Sequence, residues 1–182
     1  MNIDINKGLL SDAVYTMSPN CDDRPDSHDI TGIVIHNISL PPGEFGGGWI
    51  CDLFLNRLDP DAHPYFKDIA QLKVSAHLLI RRDGEIIQFV PFHQRAWHAG
   101  TSSWMGRSCC NDFTVGIELE GSDDCAFESI QYQQLARVIQ VLVATYSGLD
   151  YEHITGHEHI APGRKTDPGP HFDWTHLAGL LR

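Results

Sequence analysis

No window of this 182-residue chain approaches the roughly 18 uninterrupted apolar residues that a membrane span requires, and the N-terminus Met1-Asn2-Ile3-Asp4-Ile5-Asn6-Lys7 has no basic start leading into a long apolar run. No secretory signal is therefore expected, and the expected location is cytoplasmic. Positive charge is scarce as well. Thirteen Lys and Arg stand against 24 Asp and Glu, a net charge of −11. That balance argues against nonspecific binding of nucleic acid or of an anionic membrane. It leaves room for a small anionic ligand, because Arg81, Arg82, Arg95, Arg107, Arg164 and Lys165 all lie near the segments assigned to the site below. Cysteine is sparse and odd in number, with Cys21, Cys51, Cys109, Cys110 and Cys125 showing no Cys-x-x-Cys spacing. Neither a disulfide framework nor a zinc knuckle fits, and reduced thiols are expected. A Gly-x-Ser-x-Gly nucleophile turn is missing, and Gly46-Gly47-Gly48 lacks the Gly-Lys-Ser/Thr ending of a phosphate loop. There is no internal repeat and no low-complexity segment.

What is present reads as one α/β domain, long enough to bury a core without staples. Residues 1–30 are polar and turn-rich, an extended lead-in over the surface. Residues 32–36 form a buried strand, and the Pro- and Gly-punctuated loop 39–48 is placed to wall a cleft. A short helix is expected over 49–58. Two strands, 76–80 and 85–90, flank Arg81-Arg82-Asp83-Gly84, whose Asp-Gly pair signals a hairpin. In 113–120 the residues alternate, with Phe113, Val115, Ile117 and Leu119 facing one way and Thr114, Gly116, Glu118 and Glu120 the other. A helix spans 129–146, with Ile130, Leu135, Val138, Ile139, Leu142, Val143 and Tyr146 on its apolar face, and Asp173 caps a C-terminal helix.

The chemistry concentrates in Gly156-His157-Glu158-His159 and Arg164-Lys165-Thr166-Asp167-Pro168-Gly169. Imidazole and carboxylate suit a borderline metal such as zinc, and a third ligand would leave a coordination position open for water. His36, where the apolar run Ile33-Val34-Ile35 meets a loop, is the candidate third ligand. Lys165, two residues before Asp167 in a stretch whose prolines forbid a helix, would stand beside the metal and stabilise an oxyanion. An exposed loop with an incidental lysine is the bland alternative. Glu118 is a candidate general base, but Glu120 shares its face and spacing does not choose between them. A face open to water would carry both. His77 reads as a fourth ligand, a group behind the ligands or a satisfied core histidine. His93, His98, His153, His159, His171 and His176 carry no individual signal.

Together, Val34-Ile35-His36-Asn37-Ile38-Ser39, His63-Pro64-Tyr65-Phe66, Val74-Ser75-Ala76-His77, Arg95-Ala96-Trp97-His98-Ala99-Gly100, Gly116-Ile117-Glu118-Leu119-Glu120-Gly121 and Arg164-Lys165-Thr166-Asp167-Pro168-Gly169-Pro170 resemble the AmpD family. These are the cytoplasmic 1,6-anhydro-N-acetylmuramyl-L-alanine amidases of bacterial cell-wall recycling, within the N-acetylmuramoyl-L-alanine amidase and peptidoglycan-recognition superfamily. The likeness runs from about residue 15 to residue 176. It implies a single zinc amidase domain over 1–182, with a mixed central sheet flanked by helices and a zinc cleft on one face. It assigns one zinc ion per chain to His36, His157 and Asp167, makes Glu118 rather than Glu120 the catalytic carboxylate, and makes Lys165 the oxyanion stabiliser. Asn37, Tyr65 and Trp97 match positions lining the substrate cleft. The implied reaction is hydrolysis of the lactyl–L-alanine amide of anhydro-muropeptides, with restraint of β-lactamase induction where that circuit exists; a monomer is expected. An amidase acting on intact peptidoglycan and a recognition module that binds without cutting are the alternatives. The chain departs from the family after His157, where Glu158 adds negative charge and His159 a competing ligand beside the site.

Overall fold

A computed structural model describes residues 1–182. Its centre is a six-stranded mixed sheet in the spatial order Ile154–Gly156, Gly32–Ile38, Thr114–Glu120, Leu78–Ile80, Ile86–Gln88, Val14–Tyr15. The first four strands run parallel. Leu78–Ile80 and Ile86–Gln88 pair antiparallel through the expected hairpin, where Gly84 adopts φ +87°. The strands Gly32–Ile38 and Thr114–Glu120 pair along seven residues, and all seven of the latter are buried. The polar face of that strand is thus covered, and a solvated face does not account for its two glutamates.

The two faces of the sheet build separate cores. On one, Ile33, Ile35, Leu78, Ile80, Val115, Ile117 and Leu119 pack against Leu135, Val138, Ile139 and Leu142 of the helix Ser129–Thr145 and against the C-terminal helix Trp174–Leu180. Burial of such side chains contributes about 1.5–3 kcal/mol each. The long helix starts with a reciprocal box: the Glu128 side chain accepts from the backbone of Gln131, whose side chain accepts from the Glu128 N–H. Gln131 also donates to the carbonyls of Ile80 and Glu120, which ties the helix to the sheet end beside the site. Ile130, expected on the buried face, is instead exposed over Gly84. Asp173 caps the last helix by accepting from His176 N–H at 2.8 Å.

On the other face, Leu40, Ile50, Leu53, Phe54, Phe66, Leu79 and Phe89 pack around the short helices Trp49–Phe54 and Phe66–Ile69. The first of these ends before residue 58, and Asn56 adopts a left-handed φ of +57°. The lead-in carries four short strands, including the edge strand Val14–Tyr15, and buries Ser18, Asn20 and Arg24. All five cysteines are free thiols. No helix is long and apolar enough to cross a membrane.

Candidate active site

Parallel pairing sets His36 directly beside Glu118, so both side chains project from one face. On the other flank, Gly156 pairs with Ile35 and delivers His157 as the first residue of the short helix His157–Ile160. Asp167 is carried back by the following loop, where its carbonyl accepts the Glu158 N–H at 2.9 Å. Three atoms then converge. His36 Nδ1 lies 3.0 Å from His157 Nδ1 and 2.9 Å from Asp167 Oδ2, and His157 Nδ1 lies 3.0 Å from the same oxygen. Hydrogen bonds alone cannot satisfy this triangle. A hydrogen on each Nδ1 serves the carboxylate but sets two N–H groups head to head; a single hydrogen leaves one edge as two lone pairs. A cation at the centre satisfies all three atoms, and two imidazoles with a carboxylate form a donor set suited to zinc. No other group of three or more His, Cys, Asp or Glu ligand atoms lies within 4.8 Å of one another.

The charges agree with that reading. Burial lowers the His36 pKa to about 4 against the pull of Asp167, keeping the ring neutral. Burial pushes the Asp167 carboxyl upward, but the hydrogen bonds to His157 and His36 outweigh it and hold the group well below the usual carboxylate range. The far nitrogen of each ring is also engaged. His157 Nε2 donates to Ala99 O at 3.1 Å, and His36 Nε2 lies 2.9 Å from His98 Nδ1.

The structure separates the two glutamates that alternation left equivalent. Glu120 accepts from Gly46 N–H at 2.6 Å and Arg82 N–H at 3.2 Å, with Arg81 at 3.8 Å, and anchors two loops. Glu118 is buried with Oε2 unpaired. Burial, and then the Asp167 charge, push its pKa well above the ordinary value, while Lys165 works the other way.

These groups share a cleft of about 530 Å³ lined by His36, Asn37, Tyr65, Trp97, Glu118, His157, Lys165 and Asp167 among others, so all eight residues singled out from the sequence meet there. Asn37 and Trp97 are held from behind: Asn37 donates to Asp123 and to Pro168 O, and Trp97 Nε1 donates to Asp22. Tyr65 remains 41% exposed. Of the six basic residues placed near the site by sequence, only Arg164 and Lys165 line the cleft. Arg95 bridges Asp22 and Asp112, and Arg107 pairs with Asp29. His77 lies behind the ligands as a core histidine, accepting from Gly116 N–H. His159 is exposed toward Glu158 and stands outside the ligand group, so it does not compete there. Sequence reasoning passed over His98, whose partners Thr114 and His36 lie 16 and 62 residues away.

A family model described as N-acetylmuramoyl-L-alanine amidase matches residues 26–170. The 1,6-anhydro-N-acetylmuramyl-L-alanine amidase AmpD of Salmonella typhimurium (strain SL1344) is 57% identical over 176 residues, covering 97% of this chain and 94% of that protein. The crystal structure of a Se-Met AmpD derivative superposes with a TM-score of 0.96 at 56% identity, over 100% of both chains. The amidase AmiD of E. coli, in complex with the substrate anhydro-N-acetylmuramic acid-L-Ala-D-gamma-Glu-L-Lys, matches with a TM-score of 0.61 at 31% identity, covering 84% of this chain and 57% of that one.

Proposed function

The chain belongs to the N-acetylmuramoyl-L-alanine amidase family, within its AmpD group, and from that premise we propose that it is a zinc-dependent hydrolase of the lactyl–L-alanine amide in 1,6-anhydro-N-acetylmuramyl peptides, working in cytoplasmic cell-wall recycling. The observation that carries the metal part is the triangle of His36, His157 and Asp167 beside an unpaired Glu118. His36, His157 and Asp167 would hold the zinc ion, which when bound would supply Lewis acidity and lower the pKa of water to about 7. Glu118, whose pKa burial raises above the ordinary carboxylate value, takes the proton of the attacking water and returns it to the L-alanine nitrogen as the amide breaks. Lys165 meets the negative charge that develops on the lactyl oxygen. Asn37, Tyr65 and Trp97 line the walls that orient the muramyl peptide.

The test is release of free peptide from purified anhydro-muramyl tripeptide, read by mass spectrometry before and after chelation and with zinc restored. Cleavage between lactate and L-alanine that vanishes with chelator and returns with zinc supports the proposal. Binding without cleavage by the zinc-loaded protein overturns it in favour of a recognition module.

A further inference from the structure

His98 takes no part in the steps above, yet its ring fills the space between His36 and the strand that carries Glu118. We propose that His98 and Thr114 form a positioning relay that fixes the tautomer of His36, so that Nδ1 of His36 presents a lone pair to the metal. The inference rests on the metal reading of the preceding section.

The direction of the relay is set at its far end. Thr114 Oγ1 spends its only hydrogen on Cys110 O at 2.7 Å, so it can only accept from His98 Nε2 at 3.3 Å. Nε2 of His98 therefore carries the ring hydrogen, and in a neutral imidazole Nδ1 is then an acceptor. That atom takes the Nε2 hydrogen of His36 at 2.9 Å, leaving Nδ1 of His36 bare toward His157 and Asp167. Reversing the relay would put a hydrogen on His36 Nδ1 and close that position to a cation.

Two independent features build the site for this ring. A Cβ on Gly116 would lie 2.4–2.6 Å from three atoms of the His98 ring, so the strand leaves a gap between Thr114 and Glu118 that the imidazole occupies. Asn111 Oδ1 accepts from both His98 N–H at 3.1 Å and Ala99 N–H at 2.8 Å. The adjacent Ala99 carbonyl accepts from His157 Nε2. One pinned dipeptide thus holds both imidazoles, His36 through a side chain and His157 through a backbone carbonyl. Groups behind metal-binding histidines typically set affinity by 10–100-fold.

The experiment compares Thr114→Val, Thr114→Ser and the unaltered protein in zinc affinity, by competition with a chromophoric chelator, and in His98 tautomer, by nitrogen NMR of histidine-labelled protein. Thermal melting confirms that each variant is folded. Val preserves the shape of Thr and removes the acceptor; Ser keeps it. The expected result is a His98 hydrogen on Nε2 in the unaltered and Ser proteins, with zinc binding weakened about 10–100-fold in Thr114→Val alone. Equal affinity in all three, equal loss in Ser and Val, or a His98 hydrogen on Nδ1 in the unaltered protein overturns the relay. If the unaltered protein binds no zinc, the metal reading falls and the relay with it, a result distinct from each of the others.

Discussion

Glu118 holds a carboxylate oxygen that is buried and unpaired, a state that costs free energy unless the group is neutral or a partner arrives. Its neighbour Glu120 lies two residues on with every appearance of the same role, and differs only in what the fold brings to it. Glu118→Gln keeps the shape and removes the proton acceptor. Turnover is expected to fall about 10²–10⁴-fold, while zinc content and binding of anhydro-muramyl tripeptide stay near those of the unaltered protein; calorimetry beside single-turnover kinetics checks both. Glu120→Gln should instead leave the chemical step intact and lower the melting temperature, because the anchors to Gly46 and Arg82 weaken. The three candidate ligands were legible in the sequence because imidazole and carboxylate together suit a borderline metal, and His36 sits where an apolar run gives way to a loop. The choice of Glu118 was not legible from alternation, since both glutamates obey it, and came only from the family resemblance. His98 stayed hidden for the same reason: its meaning lies in Thr114, Gly116 and Asn111, which no local pattern connects to it.

Periodicity exposed the long elements. Seven alternating residues and a seventeen-residue amphipathic helix are strong signals. The three-residue strand Ile154–Gly156 is too short to show a period, although it is the element that delivers His157. The lead-in misleads differently, because its polar residues look like surface and act as buried ties. Asn20 donates to Val74 O and Asn56, Ser18 donates to Phe54 O, and Arg24 donates to the carbonyls of Phe92, Asn111, Asp112 and Thr114. Arg24 thereby closes the start of the strand that leads through Thr114 to Glu118. Arg24→Met keeps much of the volume and leaves those carbonyls without a donor. Each such orphan costs about 1–3 kcal/mol, so a loss of about 3 kcal/mol or more is expected in urea unfolding. A change within 1 kcal/mol would mean that water replaces the guanidinium, and that the segment is only draped over the sheet.

At the scale of the whole molecule two electrostatic effects oppose each other as pH falls from neutrality. Acid reduces the net charge of −11 and relieves repulsion across the surface, which favours the folded state. Acid also charges histidines in the unfolded chain near their ordinary pKa, whereas burial holds His36 at about 4 and keeps His77 and His98 well below the usual value. Their folded pKa values are lowered, so between the two limits the unfolded chain binds more protons, and stability present above about 6.5 is lost toward pH 4. His36 alone, moved from 6.5 to about 4, carries about 3 kcal/mol. Asp167, whose pKa is depressed, adds a further loss in the same direction below about 4. Surface repulsion is spread over many screened charges, whereas these groups are desolvated, so the buried histidines should win. Chelator-treated protein is therefore expected to lose melting temperature steadily from pH 7 to 4.5. Added zinc should push the loss to lower pH, because the metal competes with protons for the same lone pairs. A melting temperature that rises or stays flat between pH 7 and 5 in the metal-free protein would show that these histidines take up protons while folded. Water would then reach these imidazoles despite their burial.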